Sequence, residues 1–325
     1  MSIPVEFYRM ISLLENNKDK INWIYLSLHP NAIPLLEKNP DKINWHWLSA
    51  NPNAISLLEK NTDKINWQNL SYNTNAISLL ENNIDKINWY LLSANTNAVS
   101  LLEKNVDKIQ WYYLSSNMNA ISLIENNKDK IIWNTLSSNC NAVPLLEQNQ
   151  DKINWSRLSV NPNAISILEQ NIDKIDWYWL SANPSAISLL ENNKDKINWY
   201  WLSYNPNAFS ILEKNINKIN WHQLSLNPNA ISLLEKNQDK INWKMLSTYN
   251  PNALSILENN LDKIHWSSVT KNTFCFEINY TIFEKKMNII KEEMMMTVFH
   301  PRRFEMYLNM GYNIFDDEYE EDSRP

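Results

Sequence analysis

Ala50-Asn51-Pro52-Asn53-Ala54-Ile55-Ser56-Leu57-Leu58-Glu59-Lys60-Asn61-Thr62-Asp63-Lys64-Ile65-Asn66-Trp67 is one copy of a frame that the chain repeats throughout. Tryptophan returns every 22 residues, at Trp23, Trp45, Trp67, Trp89, Trp111, Trp133, Trp155, Trp177, Trp199, Trp221 and Trp243. A twelfth, Trp266, follows one residue late, after an insertion in Ser247-Thr248-Tyr249-Asn250. A fixed period in this range marks an array in which each unit contacts only its neighbours and none is stable alone.

Within one unit, Asn51 is a strong N-cap and Pro52 suits the first helical position, where its missing N–H needs no partner. Ala54, Ile55, Leu57 and Leu58 then fall on one face at helical spacing. Asn61, like its eleven counterparts from Asn17 to Asn260, stands where the helix should close. The chain has a single glycine, Gly311. Asn is the next choice for a left-handed C-cap. Asp63-Lys64-Ile65 makes a turn, and Asn66 caps a second short helix through Trp67 and Leu70. Helices this short are marginal alone, so stacking must stabilise them. The predicted fold is all-α: an α-solenoid arc of about twelve two-helix, 22-residue repeats with a small helical C-terminal cap. The rival, a leucine-rich β/α horseshoe, needs alternating apolar residues. Here Ser follows Leu in every unit from Leu26-Ser27 to Leu246-Ser247.

Three segments are expected. Residues 1–270 form the array, with unit one as an N-terminal cap because Phe7-Tyr8-Arg9-Met10-Ile11 departs from the frame. Residues 271–315 form a helical C-terminal cap or docking module, and residues 316–325 an acidic disordered tail. The Met-rich stretch around Met294-Met295-Met296 is a candidate adaptable surface.

Composition excludes whole classes. One glycine is too few for a phosphate-cradling loop or dinucleotide-binding turn. Net charge is -6 with no basic stripe, so nucleic acid is not expected as a partner. Cys140 and Cys275 give no disulfide framework. The start lacks the charged and apolar segments of a signal peptide, and no apolar run reaches membrane-spanning length. Secretion and membrane insertion are not expected. Neither is catalysis: the five histidines form no nucleophile, acid–base or zinc grouping, and no cofactor, metal or small-molecule substrate is expected.

Variation between units guides the search for a binding face. Trp, the Ile before it and the Leu after it recur like a core layer, and the recurrent serines read as capping and surface residues. The residues after Trp, and the one after Leu-Ser, change from unit to unit. They should align into one strip containing Trp47, Tyr72, Tyr90, Tyr112, Tyr113, Arg157, Tyr178, Trp179, Tyr200, Trp201 and Tyr204. Relaxed solvent positions would drift towards Lys, Glu and Ser. Exposed Tyr and Trp are instead the usual anchors of protein interfaces.

The units of the form Asp-Lys-Ile-Asn-Trp-x-x-Leu-Ser-x-Asn-Pro-Asn-Ala-Ile-x-Leu-Leu-Glu, as in Asp41 to Glu59, resemble repeat proteins of giant, mimivirus-like DNA viruses. Phe299-His300-Pro301-Arg302-Arg303-Phe304 is similar to a module that follows such arrays. The resemblance implies a helical array in host cytoplasm or virus particle and assigns no activity. The function expected is a non-enzymatic scaffold binding a viral or host protein along the strip. The alternatives are a structural or cement protein of the particle, or a ubiquitin-ligase adaptor acting through the C-terminal module.

Overall fold

Every tryptophan of the frame opens a helix, as in Trp45–Leu48, and in eight repeats the asparagine before it caps that helix, as Asn44 does by accepting the Trp47 N–H at 3.1 Å. The chain is described here by a computed structural model covering residues 4–298. After Trp45–Leu48, Asn51 accepts the Asn53 N–H at 3.0 Å in a turn. A second helix runs from Ile55 to Glu59, and the 3-10 turn Thr62–Lys64 leads to the next tryptophan. The repeating pattern of short helices makes the fold all-α, with no strand at the indoles.

Among the described residues, the one sheet joins β1 (Tyr8–Met10) to β2 (Phe276–Ile278). Ile11 N–H donates to the Cys275 carbonyl and Asn279 N–H to the Phe7 carbonyl, an antiparallel order.

Two compact units emerge. The larger runs from Met10 to Glu277. The smaller unites residues 4–9 with the helix Tyr280–Val298, where Phe7 meets Phe283 edge-on at 5.2 Å and Lys286 pairs with Glu6 at 3.0 Å. That helix exposes Ile282, Met287, Ile289, Met294 and Met296. The remainder of the expected C-terminal module, residues 299–315, and the acidic tail lie outside the described residues.

In the larger unit, Leu48, Ala54 and Leu58 and their counterparts are fully buried, and Ile65 and its counterparts nearly so. Burial of each such leucine contributes roughly 2 kcal/mol. Polar residues hold one repeat to the next. Ser27 Oγ donates to its own Trp23 carbonyl at 2.8 Å and accepts the Asn44 N–H of the following repeat at 2.9 Å. This recurrent serine is fully buried, contrary to its reading as a surface residue. Asn73 Nδ2 donates to the Ser49 and Asn51 carbonyls of the preceding repeat at 3.1 and 2.8 Å. The same pair of bonds recurs at every repeat from Asn51 to Asn272, a buried amide ladder along the array.

Two expectations about recurrent residues are corrected. Asn61 is not left-handed: its φ is -138°, and its side chain closes the helix by donating to the Leu57 carbonyl at 2.9 Å. All eleven counterparts donate in this way to the residue four before them. Nor are the tryptophans fully buried. Each is half-buried, with the frame lysine of the next repeat 4.5–5.1 Å from its ring centroid, from Lys42 over Trp23 to Lys263 over Trp243. Such a cation–π contact at an exposed site contributes about 0.5–1 kcal/mol.

The twelfth repeat meets the first through the same lysine–tryptophan contact and through bonds of its own. Lys20 lies over Trp266 at 4.6 Å, Asn22 Nδ2 donates to the Ser267 carbonyl at 3.0 Å, and the Thr270 hydroxyl donates to the Asn22 carbonyl at 3.4 Å. With the Ile11–Cys275 bond at 3.1 Å, these contacts return the last repeat to the first. The arc expected from the period therefore closes into a circuit in the larger unit. Repeat one, read as a cap, has a repeat on each side.

At this seam His29 stands where the other repeats carry the ladder asparagine. Its Nδ1 accepts the Asn31 N–H at 3.2 Å, as Asn51 Oδ1 does for Asn53, and its ring lies 4.7 Å from Phe276. Burial pushes the imidazole pKa down from 6.5 to about 4, against a smaller upward pull from the Asn272 carbonyl. The folded state thus binds the proton less readily than the unfolded chain. Stability is full above pH 6.5 and falls as pH drops towards 4, by about 3 kcal/mol in total. Urea denaturation at pH 7 and pH 4 should show that decline, and His29→Asn should remove most of it.

Candidate functional site

Side chains of the strip sit on the Trp-bearing helices, and these helices pack directly against one another between neighbouring repeats, as Trp67–Tyr72 does on Trp89–Ala94. Equivalent strip positions are consequently neighbours in space. Asn69 Nδ2 donates to the His46 carbonyl of the preceding repeat at 2.7 Å, and Gln223 Nε2 to the Tyr200 hydroxyl at 2.6 Å.

The aromatic residues gather into two groups. Tyr113 packs edge-on to Tyr90, at 6.1 Å, and to Tyr112, at 5.4 Å. The second group is larger and centres on Trp201, which has Tyr178, Trp179, Tyr200 and Tyr204 around it at 5.2–6.4 Å. Tyr178, Trp179, Tyr200 and Tyr204 are all exposed, whereas Trp201 is half-buried and its indole Nε1 is buried without a hydrogen-bond partner. Trp201 therefore supports the group from beneath. Trp47 stands apart against His46 at 5.3 Å, Tyr72 is exposed, and neither joins the two groups.

Between the groups the strip turns polar, with Asn134, Ser156 and the exposed Arg157; Ser156 Oγ donates to Asp176 at 2.6 Å. None of the varying strip positions from Ile24 to Lys271 carries a carboxylate, while Arg157, Lys244 and Lys271 carry positive charge. The strip is thus aromatic and weakly cationic.

What sequence reasoning missed is the seam. A cavity of about 440 Å³ opens there between the first, second and twelfth repeats, walled by Tyr25, Leu28, His29 and Trp47 and reached by Lys271 and Thr273. Lys271 Nζ sits 4.0 Å from the centre of the Tyr25 ring. The available signal was His29, the one departure from Asn at that place in the frame.

Other chemistry is sparse. Among the described residues no three of His, Cys, Asp and Glu come together to hold a metal ion, and no helix is long and apolar enough to cross a membrane. Cys275 is buried, which pushes its thiol up to about 12 and leaves it unreactive at neutral pH. Compared with known protein families, curated proteins and solved structures, the chain matches none.

Proposed function

We propose that the chain is a non-enzymatic binding scaffold, a solenoid closed into a ring whose aromatic strip grips a protein segment. The observation that carries this reading is the Tyr178–Trp179–Tyr200–Tyr204 group, four large aromatic side chains left in solvent on a rigid support. Tyr and Trp supply large contact area at small entropic cost, which makes them effective anchors. The closure supports a position for the strip as well. In a closed array the elements most tightly spaced lie on the inner side, and here those are the Trp-bearing helices. The strip would then line the inner wall, and the favoured occupant is an extended or helical segment of another protein. A viral origin, implied by the repeat resemblance, makes viral and host proteins equal candidates.

Affinity purification from cells tests the proposal. The triple variant Tyr178→Ser, Trp179→Ser and Tyr200→Ser should lose a partner captured by the parent chain while keeping its thermal transition. Trp201 is left intact because it supports the group. Capture undiminished by the three changes would overturn the strip as the binding face.

A further inference from the structure

We infer that the seam cavity is a binding site for a small anion with a flat, apolar body, of the aryl-carboxylate class. Its size, about 440 Å³, is within the range that holds small organic ligands. The walls are mostly apolar and aromatic, with Tyr25 and Trp47 occupying the same frame position in adjacent repeats and Asn31, Thr273 and His29 as the uncharged polar groups. One charge reaches the cavity, the Lys271 ammonium, and no carboxylate lines it. His29 adds no second charge near neutral pH, because burial keeps its ring unprotonated. A flat ring therefore finds aromatic and aliphatic surface, and its carboxylate finds a single cation. A cationic ligand would meet Lys271 repulsion.

The repeat frame isolates this chemistry. Lys271 occupies the place filled by Leu, Ala, Tyr, Ser or Val in most of the other repeats, and His29 the place of the ladder asparagine. A second cavity, of about 300 Å³ beside Trp199, carries Glu191 together with Lys194, Lys214 and Lys218 and so lacks the single-sign character. Because the lining of the seam cavity comes from repeats one, two and twelve, a ligand there joins the two ends of the array. Binding favours the closed form over any form opened at the seam.

The test is calorimetric titration of the full chain with 2-naphthoate, 2-naphthalenemethanol and 2-naphthylmethylammonium. Naphthoate is expected to bind most tightly and the ammonium least. Lys271→Met should weaken naphthoate by about tenfold and leave the alcohol unchanged. Leu28→Trp, which fills the cavity, should abolish both, while Tyr178→Ser on the distant aromatic group should alter neither. Naphthoate binding no tighter than the alcohol, or indifferent to Lys271→Met, would overturn the assignment. Loss of binding in Tyr178→Ser would move the site to the strip and overturn it equally. Because the partner-capture variants leave the seam untouched, the two proposals can fail separately.

Discussion

Asn161→Asp is expected to destabilise the larger unit by about 3–5 kcal/mol, although it exchanges one amide group for a carboxylate oxygen. Asn161 is 1 % exposed, and its Nδ2 donates to the Ser137 and Asn139 carbonyls at 3.3 and 3.1 Å. Its Oδ1 accepts the Asn163 N–H at 3.0 Å. Aspartate keeps the acceptor and turns the donor into a second acceptor. Two buried carbonyls then face an oxygen, and a charge is placed where water cannot reach. The loss should shrink at acid pH as the carboxyl takes up a proton and regains one donor. Asn163→Asp is the control, since Asn163 is exposed and its Nδ2 makes a single bond to the Cys140 carbonyl; it should cost about 1 kcal/mol or less. Chemical denaturation at pH 7 compares the two. Equal costs would mean that the ladder contributes no more than a surface contact.

Deleting one whole repeat, residues 134–155, should disrupt the seam far from the cut. An open array loses one unit and one interface on such a deletion and keeps its ends unchanged. A closed circuit of twelve repeats turns roughly 30° at each step, and eleven cannot meet without strain in every interface. The strain is expected to be released at the seam, the interface that departs most from the frame. At the seam His29 Nε2 is buried without a partner and Thr270 holds Asn22 through a long 3.4 Å bond. The Ile11 amide, which donates to Cys275, should therefore lose at least about a hundredfold of its hydrogen-exchange protection, equivalent to about 2.7 kcal/mol. Amides of the ladder in repeats away from both places should change little. Unaltered protection at Ile11 would show that the ends do not depend on the circuit.

Much of the repeat was legible because its local rules are strong. Asn66 as helix cap follows from residue type and spacing, and the structure has its side chain accepting the Asn69 N–H at 2.9 Å. Burial of Ala54 and Leu58 follows from helical periodicity. Asn51 was read for only half of its chemistry. As a turn residue Asp or Ser would serve equally well, but only an amide carries the acceptor for Asn53 and the donors for the repeat behind it. Its recurrence without Asp or Ser was a signal for the ladder. The strip was legible as a list of varying positions, but not as two groups with Trp201 beneath one of them. Which rings meet depends on how far each repeat is rotated from the last.

Taken alone, the sequence determined the period, the two short helices of each repeat, the asparagine cap before most of the tryptophans and the buried leucine layer. These are set by interactions spanning a few residues, and each copy of the frame specifies them again. Closure, the seam cavity and the partly exposed setting of the tryptophans were decided only in three dimensions. The turn per repeat is a small angle fixed by packing between units, and nothing within 22 residues encodes the total. Added over the array, that angle brings Lys20 to Trp266 and makes neighbours of residues almost a whole chain apart.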